Sequence, residues 1–248
     1  MKRYIRAEVI NLLDEDYTLR SELARSSCST RELAALANDE YDSVRLYVAG
    51  NPFTSEDTLL KLAVDPEIEI RKTIACRMHL TMPVAEVLLD PSNYEVESDR
   101  VSVAECIADN EYISPQILQY TWDSCPVWDV RASTARNQNV TPELTRELIM
   151  DDHFQIRMLA AHNPNTDESV LNILADDPDW EVVCEVASSP NVTPEILDKL
   201  ADHPQLWVKA KVIQNRKTPI EALQRLADDP NGYVASEAKN RLKELSEK

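Results

Sequence analysis

Apolar residues along this chain come in short clusters with helical spacing, separated by recurring polar punctuation. Ile196, Leu197, Leu200 and Ala201 fall on one face of a helix. The preceding cluster, Trp180, Val182, Cys184, Val186 and Ala187, covers most of a helix circumference, as does the following one of Leu206, Val208, Ala210, Val212 and Ile213. A one-sided helix covers a core, whereas a helix apolar on most sides lies between neighbours. The pattern predicts an alternation of short one-sided helices with short buried ones.

The alternation is periodic. A pair resembling Val-Arg marks each buried cluster: Leu19-Arg20, Val44-Arg45, Ile70-Arg71, Asp99-Arg100, Val130-Arg131, Ile156-Arg157, Val182-Val183, Val208-Lys209 and Val234-Ala235. Successive second positions are 25, 26, 29, 31, 26, 26, 26 and 26 residues apart. Six positions before the marker stands an acid in most copies (Asp14, Asp39, Asp65, Asp151, Asp177, Asp229). Six positions after it stands a small polar residue, often Asn (Asn51, Asn137, Asn163, Asn215). A hydroxyl residue then precedes the next one-sided helix: Thr54, Thr81, Ser114, Thr141, Thr166, Thr193 and Thr218.

Thr193-Pro194-Glu195 supplies a capping hydroxyl, a proline whose missing N–H is no loss at the first helical position, and an acid at the positive end of the helix. Thr218 and Glu221 have the spacing of a capping box. Asp-Pro pairs start the buried helices by the same logic. Nine such two-helix units of about 26 residues fill the chain and predict a single all-α repeat domain over residues 1–248, irregular at about 90–131.

Leu174-Ala175-Asp176-Asp177-Pro178-Asp179-Trp180-Glu181-Val182 and Val48-Ala49-Gly50-Asn51-Pro52-Phe53-Thr54 resemble the leucine-rich repeat variant (LRV) family and, more loosely, HEAT and armadillo repeats. The resemblance covers nearly the whole chain. It implies a superhelical solenoid in which one element of each repeat is an α-helix and the other is either a short 3₁₀ segment or a short α-helix. Some members of that family carry a cysteine-ligated iron–sulfur cluster in an N-terminal domain. Only Cys28 stands in the N-terminal region here, so no cofactor is expected.

Composition narrows the function classes. Two glycines in 248 residues, Gly50 and Gly232, cannot build a dinucleotide turn, a phosphate loop or a nucleophile elbow. With 26 basic against 44 acidic residues the net charge is -18, which disfavours nucleic acid and anionic membranes. No apolar run is long enough to span a bilayer, and Met1 to Asn11 lacks a signal-peptide core, so the expected compartment is the cytoplasm. Five dispersed cysteines form no Cys-x-x-Cys pair, and His79, His153, His162 and His203 form no metal-binding motif. His203 stands where other copies have the capping acid and reads as a cap.

Three surfaces compete as sites. The acid and Arg columns are either an internal ladder or a stripe for acidic ligands, and the planar guanidinium beside core positions favours the ladder. Trp128, Phe154, Trp180 and Leu206 form a column that shares a helix face with Ala132, Met158, Cys184 and Ala210, the signature of inter-repeat packing. The irregular stretch gathers Tyr94, Tyr112, Tyr120, Trp122 and Trp128 among acids, and insertions in repeat arrays commonly decorate a binding face. Those five aromatics are the candidate partner-binding residues. The expected function is a non-catalytic protein- or peptide-binding scaffold, monomeric or weakly self-associating. The alternatives are a HEAT-like protein acting on nucleic acid, an acidic nucleic-acid mimic that binds a basic protein, or a self-assembling scaffold.

Overall fold

The computed structural model describes residues 17–247, and the acid expected at Asp14 lies outside them. In chain order the helices are α1 (Tyr17–Ser26), α2 (Thr30–Leu36), α3 (Asp42–Gly50), α4 (Glu56–Leu62), α5 (Ile68–Ala75), α6 (Met82–Leu89), α7 (Glu97–Ala108) and α8 (Pro115–Ser124). There follow α9 (Trp128–Arg136), α10 (Pro142–Leu148), α11 (Phe154–His162), α12 (Glu168–Leu174), α13 (Trp180–Ser188), α14 (Pro194–Leu200), α15 (Leu206–Gln214), α16 (Ile220–Ala227) and α17 (Gly232–Ser246). Among the described residues there is no strand. The odd-numbered helices carry the nine markers, and both elements of each repeat are α-helical; one 3₁₀ turn, Pro91–Asn93, precedes α7.

The chain divides into two compact units, one ending at Val130 and the other beginning at Arg131. In the first, α1, α3, α5 and α7 pack side by side in chain order, with α4, α6 and α8 forming a second row. In the second, α11, α13, α15 and α17 form one row, and the even-numbered helices pack against them. Each core lies between its rows. Val44 and Val48 of α3, Leu59 and Leu62 of α4, and Ile70 and Ile74 of α5 are all buried. Val182, Val183, Val186 and Ala187 are buried on α13, whereas α14 buries one face through Ile196, Leu197 and Leu200. One repeat could not shield these side chains alone, so stacking is what stabilises each of them.

Corners are turned without glycine's special backbone: no described residue has a positive φ. Thr193 caps α14 as its sequence indicates, accepting a hydrogen bond from the Ile196 N–H, and Thr141 does the same for α10 through Leu144. Thr218 does not form the expected capping box. Helix α16 starts at Ile220 behind Pro219, and the Thr218 hydroxyl donates to the Val212 carbonyl, 2.5 Å away. Thr54 and Thr166 donate in the same way to Val48 and Ala160. The last carbonyls of a helix lack intrahelical partners, and a buried hydroxyl six residues later satisfies one of them.

Candidate functional site

The recurring acid has two roles. Its carboxylate accepts from the backbone N–H two residues on, as Asp65 does from Glu67 and Asp177 from Asp179, closing the turn that starts the next helix. It also receives the marker cation of the preceding repeat. Arg20 bonds Asp39 at 2.5 and 3.2 Å, Arg45 bonds Asp65 at 2.7 and 3.0 Å, and Arg157 bonds Asp177 at 2.7 and 2.9 Å. Arg131 reaches Asp151 at 2.6 Å, and Lys209 reaches Asp229 at 2.5 Å. Arg45 and Arg157 each donate in addition to the carbonyl of their own repeat's acid, Asp39 and Asp151. The basic column is therefore an internal ladder and not a surface stripe.

Three rungs differ. Tyr94 stands in the acid's place opposite Arg71: its ring lies 4.5 Å from the guanidinium, and its hydroxyl donates to the Leu88 carbonyl at 2.5 Å. Burial pushes the Tyr94 phenol above its ordinary range. Cys125 stands in the place opposite Arg100, which donates to the Ser124 carbonyl and pairs with Glu97. In the seventh repeat the cation is replaced by the buried Val183, and the acid that would have met it is His203. His203 Nδ1 accepts from the Gln205 N–H at 3.2 Å, closing the turn before α15 as the acid does in other repeats while Gln205 holds the N-cap position, and burial holds its pKa below the ordinary value.

A second ladder runs through the recurring asparagines. Six positions after the marker, the Asn163 amide donates to the Ala135 and Asn137 carbonyls of the preceding repeat, at 2.8 and 2.9 Å. Asn51 bonds Ala24 and Ser27 likewise, and Asn215 bonds Ala187. Asn110, displaced by the irregular stretch, still bonds Ala75 and Arg77. The signal was present in the recurrence of Asn itself; its partners lie 24 to 35 residues back and leave no local trace.

The column of Trp128, Phe154, Trp180 and Leu206 does not form core. These residues begin α9, α11, α13 and α15, and the core beneath them is Val130, Ile156, Val182 and Val208. Trp128 is 45% exposed, and the other three are half-buried. Within the second unit the face that Phe154, Trp180 and Leu206 flank holds a cavity of about 410 Å³ lined by Met158, Trp180, Cys184, Trp207 and Tyr233, with Glu181, Glu185 and Lys211 beside them. Trp207 and Tyr233 are 55% and 51% exposed. Glu185 meets His162 at 3.2 Å, while Glu181 has no hydrogen bond or ion pair among the described residues.

The five aromatics of the irregular stretch are dispersed. Tyr94 packs under Arg71 and lines one cavity; Tyr120 lines another with Glu86 and Asp90. Tyr112 is exposed in the turn before α8, Trp122 is half-buried on α8, and Trp128 is exposed at the start of α9. The additional residues mainly lengthen α7 to 12 and α8 to 10 residues and add the 3₁₀ turn, so the insertion is absorbed largely into helix.

These two ladders and two-row units define an all-α repeat solenoid. No family model and no curated protein matches the chain. Among solved structures, one described as a leucine-rich repeat variant with a novel repetitive structural motif aligns at TM-score 0.60 and 22% identity, over 86% of this chain and 82% of that one. The fold is thus of the leucine-rich repeat variant type. An archaeal HEAT-like repeats protein from Thermococcus onnurineus NA1 aligns over 94% and 97% of the two chains at 11% identity and TM-score 0.26. A designed armadillo repeat protein in complex with the peptide (KR)4 aligns over 91% and 90% at 16% identity and TM-score 0.17. No helix among the described residues is long and apolar enough to cross a membrane.

Proposed function

We propose that this protein is a non-catalytic repeat scaffold that binds a protein or peptide segment. The observation that carries the reading is the aromatic groove on α11, α13, α15 and α17. Met158, Trp180, Trp207 and Tyr233 surround one cavity, and exposed Trp and Tyr are the residues that most often anchor a partner. Two carboxylates, Glu181 and Glu185, stand against the single Lys211 in the groove, and with the net charge of -18 they favour a partner segment with an apolar anchor flanked by a basic side chain. Tyr112, Tyr120, Trp122 and Trp128 are proposed separately as partner-contact residues of the first unit by itself; Tyr94 contributes through packing.

Pull-down with the intact protein tests the reading. Wild type should recover a stoichiometric partner that the Trp180→Ala/Trp207→Ala variant loses while keeping its helical spectrum. Equal recovery by both proteins, or turnover of a small molecule at a groove side chain, would overturn it.

A further inference from the structure

A cavity of about 890 Å³ lies in the first unit and is separate from the aromatic groove. It opens where the asparagine ladder is broken. Six positions after the third marker stands Arg77, where other repeats place Asn51, Asn137, Asn163 and Asn215. Arg77 keeps the ladder's hydrogen bonds: its Nη1 donates to the Ala49 carbonyl at 2.5 Å and to the Asn51 carbonyl at 3.0 Å, the equivalents of the acceptors of Asn163. One neutral amide would suffice for these bonds. The chain instead places a cation there.

That cation has no carboxylate within ion-pair distance among the described residues, unlike the cations of the Arg–Asp ladder. Its Nε is buried without an acceptor, and Nη2 bonds to no described group. Burial alone holds its pKa below the ordinary arginine value, the sign of a charge that is desolvated and not compensated. Thr81, the N-cap residue of α6, lines the same cavity, and its Oγ1 is also buried without a partner. Buried polar groups left over by the fold point to a missing partner. A guanidinium beside the positive end of a helix suits an anion.

The rest of the lining sets the class of anion. Lys72 and Glu69 neutralise each other at 3.2 Å, and Glu56, exposed in the first turn of α4, is left as an uncompensated carboxylate that disfavours a dianion. Leu59, Met78 and Pro52 give the cavity an apolar side. We propose that this cavity binds a ligand bearing a single carboxylate, the anionic end on the unbonded Nη2 of Arg77, near the N-terminus of α6, and an apolar body against Leu59 and Met78. A free organic acid and the carboxyl terminus of a peptide share this chemistry.

Titration calorimetry on the full-length protein distinguishes the outcomes, with butyrate, its neutral isostere butyramide, the peptide acetyl-Ala-Leu and inorganic phosphate as probes. Butyrate should bind at least tenfold more tightly than butyramide, and Arg77→Asn should lose at least tenfold in affinity. Asparagine already serves the neighbouring repeats at this position, so the variant retains the ladder bonds; Arg77→Gln provides a second neutral variant. Tighter binding of acetyl-Ala-Leu than of butyrate would assign the carboxylate to a chain end, and the reverse to a free acid. Equal affinity of wild type and both variants, tighter binding of phosphate than of butyrate, or no heat with any carboxylate at millimolar concentration would overturn the proposal. Loss of groove binding by the Trp180 and Trp207 variants bears on neither result.

Discussion

Arg45 of one repeat and Asp65 of the next are joined by two hydrogen bonds, 2.7 and 3.0 Å long, with side chains only 13% and 5% exposed. The same carboxylate closes the turn before α5 through the Glu67 N–H, so a single side chain fixes both the start of a helix and its register on the preceding repeat. Asp65→Ala removes the turn bond and leaves a guanidinium unpaired. The expected loss is about 2 kcal/mol, between the cost for an exposed pair and that for a fully buried one. Asp65→Asn, which keeps the turn bond, should lose less. Urea unfolding of the two variants beside wild type checks the order.

The seventh repeat offers the converse experiment. Val183 and His203 replace the cation and acid of one rung, and Val183 is fully buried. Val183→Arg alone buries a charge with no carboxylate and should destabilise by about 3 kcal/mol. Adding His203→Asp should recover at least about 1 kcal/mol of that loss as coupling between the two sites. A double-mutant cycle with no coupling would show that position 203 is not where the rung's acid belongs.

Thr218 tests the unexpected role of the hydroxyl column. Thr218→Val keeps the shape but removes the donor to the Val212 carbonyl, at an expected cost of about 1 kcal/mol. Thr218→Ser should retain most of the stability. If the hydroxyl instead capped α16, the helix N-terminus would be where hydrogen exchange accelerates in Thr218→Val; the structure predicts acceleration at the end of α15.

Acid should loosen the second unit. Burial works against the Asp151 carboxylate, but hydrogen bonds from the His153 N–H at 2.9 Å and from Arg131 at 2.6 Å outweigh it and hold the group below the ordinary aspartate range. The fold favours the charged form, so the contribution is full above the unfolded value near about 3.9 and is lost as pH falls through the lower folded value. Unfolding midpoints followed from about pH 5 to about pH 2.5 should decline, and Asp151→Asn should flatten the decline.

Thiol chemistry should divide the cysteines. Burial pushes Cys106 up to about 12, with the neighbouring Cys76 adding to the effect, and pushes Cys184 up to about 11. Cys28 and Cys76 are exposed. Alkylation at about pH 8 followed by peptide mass mapping should label Cys28 and Cys76 before Cys106, Cys125 and Cys184, because the thiolate is the reacting form.

Much of this architecture was legible in one dimension. The spacing of Arg45, Arg71, Arg157 and Lys209 gave the repeat, and the residue type six positions earlier marked the turn. What each side chain bonds was harder to read, because the partner of Arg45 is the acid of the following repeat, 20 residues on, and that of Asn163 is a backbone carbonyl with no side-chain signature. Thr218 misled for a related reason: the spacing of a capping box is local, whereas the carbonyl that its hydroxyl meets belongs to the previous helix. Trp180 and Phe154 share an apolar residue type with core positions, yet as the first residues of their helices they sit at the edge of the buried face. Tyr94, a partner-binding candidate by its place in the irregular stretch, is a rung of the ladder, a role visible only with Arg71 above its ring.

The groove around Trp180 and Trp207 is proposed to hold an apolar, basic-flanked segment. Its most direct measurement is a fluorescence titration of the intact protein with a peptide selected against it from a random library, repeated on Trp180→Ala/Trp207→Ala. Wild type should bind saturably, and the variant, melting at nearly the same temperature, should bind at least tenfold more weakly. Unchanged affinity in that variant, or preferential selection of acidic peptides, would contradict it.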